Sequence, residues 1–101
     1  MIPIPLKLRA QIALDPFMAH CIHSGCVQKP EWEHALIYQN KRVQEAWAIV
    51  PCCTYHHRGA GLDKRYNEWV ALNRATDAEL TKYAKANWIQ KRNYLNTIYG
   101  T

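Results

Sequence analysis

All five histidines and all four cysteines of this 101-residue chain fall between His20 and His57, little more than a third of its length. Thiolates and imidazoles are the side chains that hold borderline-soft metal ions, so the clustering points first to metal chemistry. Cys21 and Cys26 have four residues between them on a short segment where Gly25 permits a tight turn. Cys53 and His56 follow with two residues between them. Two ligand pairs separated by roughly 25 residues are the sequence form of a structural zinc site with tetrahedral Cys₃His ligation. Cys52 is an alternative to Cys53, and His23 competes with either thiol of the first pair. The plain alternative treats these cysteines as small buried hydrophobes, and the joint clustering of Cys with His weighs against it. Zinc would also supply folding free energy that a core of this size lacks.

Outside that set, His34 follows Glu33, and His57 comes directly after His56. The stretches Trp32-Glu33-His34-Ala35 and Ile49-Val50-Pro51-Cys52-Cys53-Thr54-Tyr55-His56-His57 together resemble the HNH (ββα-metal) endonucleases, in their zinc-stapled branch. In that family an acidic residue followed by His ends the first strand. A Cys-x-x-Cys/His pair follows the second strand, and a His or Asn then opens the helix. The resemblance covers His20 to about Gly61. It implies an α+β fold, a small zinc-stapled ββα-metal core flanked by helices. It also implies His34 as general base, with Glu33 and His57 holding one catalytic divalent cation, Mg²⁺ or Mn²⁺, against a DNA phosphodiester. The chemistry is sound on its own terms. Unperturbed imidazole has a near-neutral pKa suited to a base, and a cation offsets charge in the transition state. The middle Asn of the family motif is missing from Val43-Gln44-Glu45-Ala46, so Gln44, Glu45 or, from farther off, Asn40 must take its part. Arg58, Lys64 and Arg65 after the site, and Lys41 and Arg42 before the second strand, are candidate phosphate contacts. Each is otherwise an ordinary solvated charge.

The elements that must position these groups are legible in outline. The expectation is one domain over residues 1–101, with the core at about 20–61 and a helical extension over 62–101. Leu6 to Leu14, bounded by Pro3, Pro5 and Pro16, predicts a short helix with Leu6, Ala10, Ala13 and Leu14 on one side. Glu33 to Tyr38 predicts a strand running into a polar turn at Gln39 to Arg42. Ala46 to Val50 predicts a second strand, stopped by Pro51. Gly59-Ala60-Gly61 breaks the chain, and two C-terminal helices follow. The first is capped by Asp63 and runs to Arg74, with Tyr66, Trp69, Val70 and Asn73 along one side. The second opens on the Thr76/Glu79 capping box with Leu80, Tyr83, Ala84, Trp88, Leu95 and Ile98 as its apolar face. Lys82, Lys85, Lys91 and Arg92 lie opposite. Trp47, Trp69 and Trp88 are expected in the core, and Tyr55 in packing.

Thirteen Lys and Arg against eight Asp and Glu give a formal charge of +5. The balance is +1 up to His57 and +4 from Arg58 onward. A basic C-terminal half suits a phosphate backbone through counterion release, although many basic proteins bind nothing in particular. No apolar run approaches the roughly 20 residues that cross a bilayer, and the start of the chain lacks a signal-peptide core. The expectation is therefore a cytoplasmic chain with reduced cysteines, in the host cytoplasm if phage-encoded, and with no membrane contact. Small stand-alone HNH proteins are frequent in phages, so the resemblance implies a phage protein in recombination, repair or packaging. A homodimer or a larger phage or host complex fits that role. The alternatives are a catalytically inactive zinc-stapled module binding nucleic acid or protein, and a purely structural zinc protein.

Overall fold

The computed structural model describes residues 4–23, 26 and 28–100. The turn expected at Gly25 lies outside the described residues. The described chain is an α+β arrangement of two short antiparallel sheets and five helices. Helix α1 (Leu6–Ala13) leads through a 3₁₀ turn at Pro16–Ala19 to strand β1 (Glu31–His34). Strands β2 (Ile37–Tyr38) and β3 (Lys41–Arg42) form a small hairpin. A 3₁₀ turn at Ala46–Ala48 then enters β4 (Ile49–Cys52), which pairs with β1, and helix α2 (Thr54–Arg58) follows at once.

The expected first strand is thus two strands with different partners. Its N-terminal part reaches back to Glu31 and pairs with β4 in the register Glu33↔Val50. Its C-terminal part belongs to the hairpin, where Ile37 faces Arg42 and Tyr38 faces Lys41. The turn is only Gln39 and Asn40, both at positive φ (51° and 65°). That is the two-residue geometry whose twist suits a hairpin, so Lys41 and Arg42 are strand rather than turn. Pro51 lies inside β4 instead of stopping it. Proline has no N–H to donate, so its pairing with Trp32 leaves that position to the non-hydrogen-bonded side of the ladder. Its carbonyl faces the open edge and accepts from Ile22 N at 2.9 Å, which ties the segment after Cys21 to the sheet.

Helix α3 (Lys64–Arg74) begins as expected, with the Asp63 carboxylate accepting from Tyr66 N at 3.0 Å. Its buried side is Asn67, Ala71 and Leu72, however. Tyr66, Trp69 and Val70 are half-buried, and Asn73 is exposed. The single second helix is instead three pieces: α4 (Asp77–Thr81), a 3₁₀ turn at Ala84–Ala86, and α5 (Trp88–Tyr99). The capping box forms as predicted. The break falls at Asn87, whose left-handed backbone (φ 53°) turns α5 back against α3. Asn is among the few residues that tolerate this conformation. Leu80, Trp88 and Leu95 are buried as expected, while Ala84 and Ile98 are exposed. On α1 the buried residue is Ile12, and Leu6 and Leu14 are exposed.

The main core joins β4 and the 3₁₀ turn before it to α3, α4 and α5, with Ala48, Val50, Leu72 and Leu95 fully enclosed. A smaller cluster of Ile4, Ile12, Met18 and Ile49 seats α1 on the other side of β4. Aromatic rings fill the gap beneath the hairpin. Tyr38, Tyr83, Trp47 and Trp88 meet with centroids 5.0–6.1 Å apart, mostly edge to face, the arrangement ring quadrupoles favour. Trp69 is half-buried rather than core, its Nε1 donating to Asn96 Oδ1 at 2.7 Å. No helix among the described residues is long and apolar enough to cross a membrane.

Candidate metal centre and the adjoining cleft

Cys53 is the last residue before α2, so the first turn of that helix carries His56 back over it. The tie between Ile22 and Pro51 brings Cys21 to the same place. Cys21, Cys26, Cys53 and His56 therefore converge, their ligand atoms all within 4.8 Å of one another. The Cys26 and Cys53 sulfurs are 3.7 Å apart. His56 Nδ1 lies 3.4 Å from Cys21 Sγ and 3.2 Å from Cys53 Sγ. Tetrahedral ligands with metal–sulfur bonds of about 2.3 Å and metal–nitrogen bonds of about 2.0 Å sit roughly 3.5–3.8 Å from each other. The observed separations are close to that, so the donor set fits a four-coordinate metal ion.

The two open choices at this site resolve geometrically. Cys52 points the other way, its thiol donating to Asn67 Oδ1 at 3.6 Å. Burial, with Glu33 beside it, pushes that thiol far up, away from thiolate chemistry. For Cys53, burial is outweighed by hydrogen bonds from the His56 backbone and side chain and from the neighbouring thiols, which bring it down to about 7. His23 is not a fifth donor within the group. Its ring stacks on His56 at 3.9 Å and 10°, and burial lowers its pKa.

One residue beyond His56, His57 turns to the opposite side of the short helix and faces a cleft of about 800 Å³. Glu31, Glu33 and His34 of β1 line the same cleft, as do Arg42, Arg58 and Lys64. Lys41 is exposed on the hairpin beside it, and Arg65 is exposed but is not among the lining residues. Most of the expected site is thus brought together, with one difference in its wiring. The carboxylate touching His57 is Glu31, whose Oε1 accepts from Nδ1 at 2.8 Å. Its Oε2 accepts from Arg58 at 2.7 Å and from Thr54 at 3.3 Å. Hydrogen bonds from Arg58 and His57 hold Glu31 at about 2, well below the usual carboxylate range. With Nδ1–H committed to Glu31, the free lone pair of neutral His57 is on Nε2.

Glu33 shares the cleft wall with Glu31 but reaches toward α3. Asn67 Nδ2 donates to its Oε2 at 2.7 Å, and burial raises its pKa while His57 nearby pulls it down. Of Gln44, Glu45 and Asn40, the residues expected to take the part of the missing Asn, Gln44 is the one that reaches His34, its Oε1 2.9 Å from Nε2. An amide oxygen there requires the ring proton on Nε2 and leaves Nδ1 as the basic nitrogen. Glu45 is spent on Lys82 and Tyr83 (3.1 and 2.8 Å).

Glu31 and Asn67 were not singled out from the sequence. Glu31 carried a signal, since it shares a strand face with Glu33 by the period of two. Asn67 is a polar residue on the buried stripe it shares with Ala71, and a buried amide requires partners. Tyr55, expected to pack, is 57% exposed. No protein-family model, curated protein sequence or solved structure matches the chain.

Proposed function

We propose that the chain is a zinc-stapled, metal-dependent endonuclease of the HNH kind, acting on DNA phosphodiester bonds. The observation that carries this reading is the pair of histidines on one cleft, each with one ring nitrogen fixed by an acceptor and the other left free. His34 is held by Gln44, and His57 by Glu31. The Cys₃His group fits zinc by donor chemistry and spacing, and its place at the start of α2 sets the angle at which His57 meets the cleft. His34 Nδ1 would take the proton of the attacking water. Glu33 and His57 Nε2 would hold Mg²⁺ or Mn²⁺, which supplies charge neutralisation at the scissile phosphate and leaving oxygen. Arg42, Arg58 and Lys64 would grip flanking phosphates, with Lys41 and Arg65 farther out.

Nicking of supercoiled plasmid by zinc-loaded protein tests this directly. Cutting is expected with Mg²⁺ or Mn²⁺, abolished by EDTA, and reduced on the order of 10²–10⁴-fold in His34→Ala. No cutting by folded, zinc-bound wild type under any divalent ion would overturn it. One observation favours a second reading, a module that binds without cutting: one oxygen of the Glu33 carboxylate, Oε2, already accepts from Asn67. DNA affinity unchanged in His34→Ala, with no cutting by wild type, would select it. A phage role, and a dimer or larger complex around it, remain part of the proposal and follow from the family likeness.

A further inference from the structure

The cleft beside His34 and His57 is chemically two-sided. Besides its charged groups it is lined by Ile4, Pro30, Trp32, Ile37 and Leu62. Ile37 and Leu62 are 64% and 37% exposed, so apolar surface is left uncovered beside the cations rather than within the core. Trp32 has one side packed against the small core cluster. The exposed Arg9 places its guanidinium over the indole at 5.3 Å from the ring centroid. Arg9 is exposed, so a base stacking on that face displaces its guanidinium and leaves it beside the ring for the phosphate.

The charge around this surface is not neutralised by the protein itself. Among the described residues, every Asp and Glu already has a hydrogen-bond or ion partner. Arg9, Arg42 and Lys64, all lining the cleft, form no ion pair among the described residues. A volume of about 800 Å³ corresponds to a recess roughly 9 Å on a side. A cleft of this volume is the size that encloses a small ligand, so an unpaired base with its sugar and phosphate enters it where a duplex lies across its mouth. Apolar and aromatic walls beside free cations are the pattern on which unpaired bases stack while their phosphates are held.

We propose that the cleft binds an unpaired nucleotide next to the scissile phosphate, its base against Trp32 between Ile37 and Leu62. Single-stranded or locally unpaired nucleic acid is then the preferred substrate over intact duplex. This rests on the nuclease reading for its place beside the base, but its test needs no cleavage.

Fluorescence anisotropy of a labelled 12-mer is read with zinc-loaded protein and no added divalent ion. The arms are single-stranded DNA, single-stranded RNA of the same sequence, and a blunt DNA duplex. At least one single strand is expected to bind on the order of 10-fold tighter than the duplex, and the DNA and RNA arms identify the sugar. Trp32→Ala should weaken single-strand binding on the order of 10-fold, the worth of one base–aromatic stack, with Trp32→Phe restoring most of it. Duplex binding should change little in either variant. Because Trp32 also packs against the core, an Ile37→Ser/Leu62→Ser variant is measured beside it and should lose several-fold on single strands only. Duplex bound as tightly as both single strands, or equal losses on all three ligands, would overturn the proposal. A chain that never nicks plasmid can still pass, and one that nicks duplex can still fail, so the two readings fall separately.

Discussion

Glu31 spends its hydrogen-bonding capacity on α2, accepting from His57 with one oxygen and from Arg58 and Thr54 with the other. A carboxylate in that position sets the orientation and tautomer of a metal-ligating imidazole, and losing such a partner typically costs about 10- to 100-fold in metal affinity or activity. Under the nuclease proposal, Glu31→Ala should fall in that range in Mn²⁺ affinity, while Glu31→Gln, whose amide oxygen can still accept from Nδ1, should retain most of it. Equal loss in both variants, followed by Mn²⁺ titration, would make Glu31 a direct ligand instead. Asp15 gives a cleaner acid titration, far from either site. A hydrogen bond from Phe17 N and the Arg74 guanidinium hold its pKa below the usual 3.8. A lowered carboxylate pKa stabilises the fold above the unfolded value and ceases to do so as pH falls through the folded one. The stability difference between wild type and Asp15→Asn should therefore be constant above about pH 5 and shrink as pH falls through 3.8 and below. Urea melts at several pH values measure it, and a difference that grows toward acid would contradict the assignment.

At the scale of elements, the ends of helices were more legible than their lengths. The Thr76 hydroxyl accepts from Glu79 N and the Glu79 carboxylate from Thr76 N, both foreseeable from two residues three apart. Thr76→Ala should cost about 0.5–2 kcal/mol in chemical denaturation. An unchanged midpoint would mean α4 does not need its cap. The break at Asn87 was not legible, because the apolar spacing of Leu80, Trp88 and Leu95 continues through it. Three separate segments can satisfy one stripe when each packs on the same core. The strands misled for a related reason. Glu33 to Tyr38 reads as one extended run, yet its halves belong to different sheets, and only tertiary pairing decides that. Pro51 reads as a terminator because proline cannot serve a central strand. In a two-stranded sheet each strand has a free edge, and Pro51 uses it. The convergence of Cys21, Cys26, Cys53 and His56 is legible because a candidate metal set is written in residue type and spacing. The orientation of Glu33 toward Asn67 is not, since it depends on how α3 lies against β1.

Across the whole molecule, two terms should respond separately to solution conditions, one at the Cys₃His group and one at the cleft beside it. If the Cys₃His group holds zinc, its binding free energy is on the order of 10 kcal/mol, comparable to the entire stability of a domain this small. Chelation should then abolish cooperative thermal unfolding, and an unchanged melt in excess chelator would remove the metal from the fold. If the cleft binds nucleic acid, affinity should depend on salt through Arg9, Arg42 and Lys64, the cleft cations that form no ion pair among the described residues. Single-strand binding should show a log–log slope of about −2, falling by about 0.7 for each of them replaced. The aromatic cluster beneath the hairpin has an optical consequence as well. Trp47 and Trp88 stand 6.1 Å apart at 80°, close enough for their excited states to couple, and both are locked in the larger core. Trp32 stands apart from them, against the smaller cluster and open to the cleft. Near-ultraviolet ellipticity therefore reports the larger core as an internal gauge of folding. Trp69, half-buried on α3, also emits, so the difference in soluble quenching between wild type and Trp32→Phe isolates the cleft-facing indole and, beside the ellipticity, separates a variant that has lost its fold from one that has lost only its ligand.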